Sequence, residues 1–412
     1  MATVTLILRL HQPYVLARYD ALVPGEIFDH AATRRICRTR ARRSIVPVNR
    51  ILADLSDRLG ESFRCTCLVS GVALELFDRY SPDVIESLAD LVRRDVIEIA
   101  VTPYDYDLCF LTDPAEFADR VQAVCDRVEG LFGRRPTTFA NTDLILTDVV
   151  VRTVESAGLT AIVCDASGQV AAPDGPGRRD AITAPPTVRP GSGGPLRLIV
   201  RDAGLSHMVD RDFMNRASSR WPVTAPRYAA CLAQASRTRQ PVVLLWDYVT
   251  FGERYPADTG VFDFLAHLPS QALERGVSRF QCCRASSGVA ADPAIIKSQP
   301  PPTRDADRGG RWAAAAMVGG SMQARAADCV YSLKNKMLGY NSQVIHSSGQ
   351  GVRDDWRRLR AVDYLRCFTD PATAVGDMTC MTGVGTAYEA FVAYMGHCDT
   401  LGRRAAEPRR RG

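Results

Sequence analysis

Short apolar, β-branched runs recur at Thr3–Leu10, Phe63–Val69, Val96–Val101, Thr137–Phe139, Thr160–Cys164, Leu196–Val200 and Pro241–Trp246. Between them, apolar residues fall at spacings of three and four within Val48–Leu59, Ser81–Arg94, Pro114–Phe132 and Asp148–Ala157, with turn residues at the ends. Each such stretch predicts a helix. Strands alternating with helices are the pattern of a parallel sheet, and this many repeats predict a closed or nearly closed barrel. A doubly wound sheet is the rival. No GxGxxG or GxxxxGK[ST] follows a strand, which argues against a nucleotide-binding version of that rival.

The pattern changes after about residue 285, where KSQPPPTRDADRGG is rich in proline and charge and is followed by helical periodicity only. Arg325–Leu338, Asp354–Phe368 and Thr386–Leu401 predict three amphipathic helices. The expected organisation is a barrel over 1–292, a linker over 293–311, a helical bundle over 312–402 and a frayed arginine-rich tail over 403–412.

Composition narrows the function. A chain of 412 residues, 46% hydrophobic and 24% charged, can bury a large core. Its formal charge of +5 comes from 51 basic against 46 acidic residues, and part of it lies in Arg403, Arg404, Arg409, Arg410 and Arg411. A balance this mild gives no reason to expect nucleic acid as a partner. MATVTLILRLHQPY has no basic region ahead of its apolar run, so it predicts a first strand and not a signal peptide. No apolar stretch approaches the roughly 20 residues that span a bilayer. The 13 cysteines lack CxxC pairs and are expected as reduced thiols in a cytoplasmic protein.

In a parallel barrel the chemistry sits at the C-terminal ends of the strands. His11 and Gln12, Tyr104–Asp107, Asn141–Asp143, Asp165 and Asp247 all fall at such ends. Two carboxylates on separate strand ends are what glycosidic cleavage requires: one attacks the anomeric carbon or activates water, and the other protonates the leaving oxygen. Strand-end acids also serve as helix caps and structural acceptors. The residues alone therefore lead to a barrel with an acidic cleft.

Two stretches carry a more specific resemblance. LILRLHQPYVL, containing His11, and LLWDYVTFGERYPADTGVFDFLAHLP, from Leu244 to Pro269, resemble conserved stretches of glycoside hydrolase family 57 of the α-amylase type. Weaker likeness runs through Val69–Leu88, Phe139–Asp148, Ser218–Ala229, Gly319–Leu333, Trp356–Leu365 and Ala387–Met395. The resemblance implies an incomplete (β/α)7 barrel followed by a helical domain, and a retaining enzyme acting on α-glucans or maltooligosaccharides. It places the acid/base on Asp247 and the nucleophile, a glutamate in the family, on Asp165. His11, Tyr104, Glu253 and Asp363 match sugar-binding positions, while Trp221, Trp246 and Trp356 are the aromatic candidates for contact with a pyranose.

The family's histidines fall on Tyr106, Arg254 and Tyr364, its glutamates on Thr102 and Val249, and a sugar-facing tryptophan on Met317. Two functions follow from this mixture: a glycosidase or glucanotransferase of reduced power, or a catalytically impaired protein that binds α-glucan or regulates a partner. A metal-dependent deacetylase barrel would need an aspartate and two histidines close together, and no such set is visible. No metal or other cofactor is implied, and the oligomeric state is left open.

Overall fold

The computed structural model describes residues 2–22, 25–165, 196–238, 241–286, 289–290, 318–338, 351–368 and 380–406. The expected linker over 293–311, Met317 and the last residues, 407–412, lie outside these. The chain divides into two compact units. One comprises Met1–His11, Cys37–Tyr104 and Ala115–Gln299, and the other Gln12–Ile36, Asp105–Pro114 and Pro300–Gly412.

The first unit is a parallel barrel. Its strands are β1 (Thr3–Leu10), β2 (Cys65–Val69), β3 (Ile97–Val101), β4 (Thr138–Ala140), β5 (Ala161–Asp165), β6 (Arg197–Arg201) and β7 (Val242–Asp247). They pair in the order β7-β1-β2-β3-β4-β5-β6, each with a parallel neighbour. The two ends of this path are linked by the Asp202 N–H, which donates to Val243 O at 2.8 Å, so the seven-stranded barrel is nearly closed. β8 (Arg279–Gln281) adds to β1 in parallel, and β9 (Val289–Ala290) runs antiparallel to β6.

Interior packing takes one side chain or more from every strand: Ile7, Leu68, Ala100, Ala140, Val163, Ile199 and Leu245 sit in one buried cluster. Helices such as Val46–Leu59, Pro82–Arg93, Pro114–Phe132 and Val261–Glu274 turn buried apolar residues toward the other face. Burial on both faces explains why the strands read as continuous apolar runs. Side-chain caps start the helices after strand ends: Ser70 accepts from Ala73 N–H, Thr147 from Val150 N–H and Asp202 from Leu205 N–H.

Among the described residues from 318 onward, the helices of the second, helical unit are Ser321–Ser332, Lys334–Leu338, Val352–Leu359, Val362–Arg366 and Ala387–Ala406. The single helix expected over Asp354–Phe368 is broken at Arg360 and Ala361. Arg360 is fully buried, with Nε 2.9 Å from Asp107 Oδ2 and its guanidinium 4.3 Å from the Trp356 ring centre. Burying a guanidinium without such partners would cost on the order of several kcal/mol, as expected for an isolated charge. The last helix continues through Arg403 and Arg404 to Ala406, where the sequence suggested a frayed tail. Arg403 pairs with Asp399 one turn back at 3.1 Å, and Arg404 donates to Gly25 O at 2.8 Å. No helix among the described residues is long and apolar enough to cross a membrane.

Candidate active site

Side chains two positions apart on a strand point to the same face. Counting two residues on from the interior cluster, Ile7 leads to Arg9, Leu68 to Ser70, Ala100 to Thr102, Val163 to Asp165, Ile199 to Arg201 and Leu245 to Asp247. The apolar interior is thus topped at the C-terminal end by a layer of polar side chains. Both predicted carboxylates stand in it.

Strand register pairs them with arginines. Arg9 lies opposite Asp247 across β1 and β7, and Asp165 opposite Arg201 across β5 and β6. Arg9 Nε donates to Asp247 Oδ1 at 2.6 Å. Arg201 holds Asp165 with two hydrogen bonds, Nε to Oδ1 at 2.6 Å and Nη2 to Oδ2 at 2.7 Å. Such bidentate charge-assisted pairs fix a carboxylate's orientation as well as its charge. The four side chains are 15–30% exposed, so the pairs are reachable from solvent.

The segment after β7 adds a further pair. Its backbone folds back on itself, with Arg254 N–H donating to Val249 O at 2.7 Å and Gly252 N–H to Tyr255 O at 2.9 Å. Gly252 has φ +93° and packs so closely on Arg43 O that a Cβ there would collide with it. This turn aims Arg254 at two aspartates: Nη1 lies 2.8 Å from Asp210 Oδ1, and Nη2 lies 3.6 Å from Asp247 Oδ2. Asp210, at the end of the helix Ala203–Asp210, also accepts from Thr250 Oγ1 at 2.5 Å. Burial, and then the charge of Asp247, push the Asp210 carboxyl above its usual range, against the opposing pull of Arg254 and Thr250.

The remaining predicted residues are distributed as follows. His11 Nδ1 lies 2.7 Å from Ser70 Oγ, beside the mouth layer. Tyr104 is partly exposed, its ring laid against Gly71 where a Cβ would collide, with the Arg120 guanidinium 3.9 Å from the ring centre. Glu253 accepts from Arg40 Nε at 3.0 Å. Trp221 is 41% exposed, the most exposed of the three candidate tryptophans, with the Arg216 guanidinium 5.7 Å from its ring centre. Trp246 is fully buried among Tyr228, Phe251 and Phe264, which corrects the expectation that it contacts a sugar.

Trp356 and Asp363 belong to the helical unit. Trp356 is 2% exposed, with its indole N–H donating to Val330 O at 2.8 Å, which corrects the expectation of an open stacking surface. Asp363 is partly exposed, with Arg366 at 3.8 Å. Tyr106 and Tyr364 are buried, and the Tyr364 hydroxyl donates to Tyr14 O at 2.7 Å. Among the described residues, no cluster of histidine, cysteine, aspartate or glutamate has the arrangement of a metal site.

Asp210, Arg9 and Arg201 were not singled out by sequence reasoning. The available signal was a charged residue standing two positions beyond an interior one, in LILRL for Arg9 and LIVRD for Arg201.

Comparison of the sequence with known families places this barrel among the glycosyl hydrolases. Glycosyl hydrolase family 57 matches residues 5–289, and the chain belongs to that family. It is 26% identical over 230 residues to a protein of Methanocaldococcus jannaschii named "Putative alpha-amylase", an alignment covering 56% of this chain and 46% of the relative. The chain therefore spans about half the length of the curated relative that it matches. The fold resembles the 4-alpha-glucanotransferase of Thermococcus litoralis with a TM-score of 0.61 and 12% identity, covering 88% of this chain and 56% of that one. The GH57-type branching enzyme of Pyrococcus horikoshii gives 0.59 and 11%, covering 88% and 85%. At such identities the likeness establishes the fold.

Proposed function

We propose that the protein cleaves or transfers glucosyl linkages of an α-glucan such as a maltooligosaccharide in the cytoplasm, by a retaining mechanism with Asp247 as acid/base and Asp165 as nucleophile. The observation that carries this reading is the placement of both carboxylates in the polar layer at the C-terminal mouth of a family 57 barrel. One solved relative is named a 4-alpha-glucanotransferase and another a GH57-type branching enzyme, in keeping with this choice of substrate.

In the reaction, Asp165 attacks the anomeric carbon as Asp247 delivers a proton to the leaving oxygen. Asp247 then removes a proton from the incoming water or sugar hydroxyl that displaces Asp165. His11, Tyr104 and Glu253 bind sugar hydroxyls, and Trp221 offers a stacking face. Turnover is weak on this reading, for two reasons. An aspartate at the nucleophile position withdraws the attacking oxygen by about one bond length, roughly 1.5 Å, compared with a glutamate. Tyr106 and Tyr364, where the family has histidines, are buried in packing.

Incubation with maltooligosaccharides, with products and anomer followed by NMR, tests the proposal. The expected result is slow release or transfer of glucose units with the anomer retained, abolished in Asp247→Asn. Absence of products from the wild type at any pH would leave glucan binding without turnover.

A further inference from the structure

Asp247 faces a conflict that its assigned role makes visible. Its Oδ1 accepts from Arg9 at 2.6 Å, and Arg254 stands 3.6 Å from its Oδ2. Both cations favour the carboxylate, yet an acid must arrive at the leaving oxygen with a proton. Asp210 stands where it can settle this. Its side chain is 16% exposed, it takes Arg254 Nη1 at 2.8 Å, and the same guanidinium reaches Asp247 with its other nitrogen.

Resting on the reading of Asp247 as the acid/base, we propose that Asp210 is its positioning residue: the two carboxyl groups share the Arg254 guanidinium and hold one proton between them. In the free protein the proton resides on Asp210 and Asp247 is ion-paired with Arg9. When substrate displaces that pairing, the proton passes to Asp247 and the negative charge passes to Asp210, where Arg254 already lies at hydrogen-bond distance. Asp247 then gives the proton to the leaving oxygen.

The surroundings fit this distribution. Burial and the like charge of Asp247 both press Asp210 toward its neutral form, and Arg254 with Thr250 opposes them. Two carboxyl groups so placed titrate as a pair, because ionising one raises the cost of ionising the other. The other charged or titratable groups facing Asp210 are Arg9 from β1, His207 one turn earlier on its own helix, and Tyr255, whose hydroxyl donates to Asp210 O at 3.3 Å. His207 is pushed below its usual range by burial, by Arg211 and by Arg201, so it adds little competing positive charge at neutral pH.

Carboxyl titration of the full chain by ¹³C NMR with labelled aspartate, in wild type, Asp210→Asn and Asp247→Asn, tests the pairing without relying on turnover. The wild type is expected to show an aspartate titrating above the ordinary range. That titration should vanish in Asp210→Asn and move to lower pH in Asp247→Asn. Because Asp247→Asn keeps Asp210 in place, the cross-effect remains readable even if Asp210→Asn does not fold.

With maltooligosaccharide as substrate, Asp210→Asn should move the alkaline limb of the pH–rate profile to lower pH by about one pH unit and so cut the rate at pH 7 roughly tenfold. A titration of Asp210 in the ordinary range, or one indifferent to Asp247→Asn, overturns the pairing. An intact cross-effect with no turnover by the wild type supports the pair and removes the glycosidase reading. Turnover without the cross-effect does the reverse.

Discussion

The two ends of the barrel both hold acids, and they treat them differently. At the N-terminal end Glu98 on β3 is 6% exposed, and its oxygens are taken by neutral donors: Thr137 Oγ1 at 3.3 Å, Thr138 Oγ1 at 2.8 Å and the backbone N–H of Arg284 at 2.7 Å. At the C-terminal mouth Asp165 and Asp247 lean on arginines that are partly open to solvent. Donors supplied by backbone and packed hydroxyls cannot swing away, so Glu98 is fixed. A guanidinium on a flexible stem can exchange a carboxylate for a ligand, so the mouth can be reorganised by substrate. The same residue class thus has a fixed setting at one end and, on the proposed reading, a chemical one at the other, the division of labour usual in parallel barrels.

The largest expected effect lies at the mouth. Asp247→Asn should lower the rate with maltooligosaccharides by about 10³-fold or more, since it removes the proposed acid/base. Its melting temperature should stay within about 2 °C of wild type, because a partly solvated ion pair is worth only about 0–1 kcal/mol. A large loss of stability would erase the contrast between the ends.

Glu98→Ala is the mirror experiment. It leaves buried donors without an acceptor and should cost about 2–4 kcal/mol in denaturant unfolding. The rate per folded molecule should be unchanged. Asp165→Glu should come next in size: restoring the missing methylene should raise turnover on the order of 10- to 100-fold if reach limits attack. An unchanged or lower rate would shift the deficit to the positions where Tyr106 and Tyr364 stand.

A third environment, in the helical unit, sharpens the comparison with the smallest effect. Asp355 is buried, and its pKa is raised to about 6 because desolvation outweighs Arg358 and Arg404. The folded state then binds a proton more tightly than the unfolded chain, so this group's contribution to stability is full below about pH 4 and is lost as the pH rises to about 6. Chemical denaturation from pH 4 to pH 8 should show that decline, amounting to about 1–3 kcal/mol. Asp355→Asn should flatten it. An unaltered slope in the variant would assign the decline to other groups.

The sequence made the barrel readable because each strand buries both faces and so stands out as an apolar run. β1 and the helix Pro114–Phe132 fall where the periodicity put them. The runs ending at Cys164, Val200 and Trp246 each continue one residue further, through Asp165, Arg201 and Asp247. A charged residue can close a strand there because its neighbour in register carries the opposite charge, and register between distant strands is invisible in local pattern. The same limit hid Asp210. Its partners Thr250 and Arg254 are some 40 residues away along the chain and meet it only through the turn at Gly252. Trp356 was misjudged because amphipathic spacing tells which helix face is apolar and not whether a particular indole ends inside.

The division of the chain also bears on the order in which the protein can fold as it is made. The helical unit draws on Gln12–Ile36 and Asp105–Pro114 as well as the residues from Pro300 onward. Leu16 is an instance: it exchanges backbone hydrogen bonds with Cys380 and Thr382, at 2.8 and 2.9 Å. Its partners emerge from the ribosome some 360 residues later, which at about 5–20 residues per second is a delay of very roughly 20 to 70 seconds. Through that interval Leu16 has Phe28 as its neighbour in register and lacks the two later partners. A chain stopped before Cys380 can still pair Leu16 with Phe28, yet it lacks the backbone partners that Cys380 and Thr382 give Leu16.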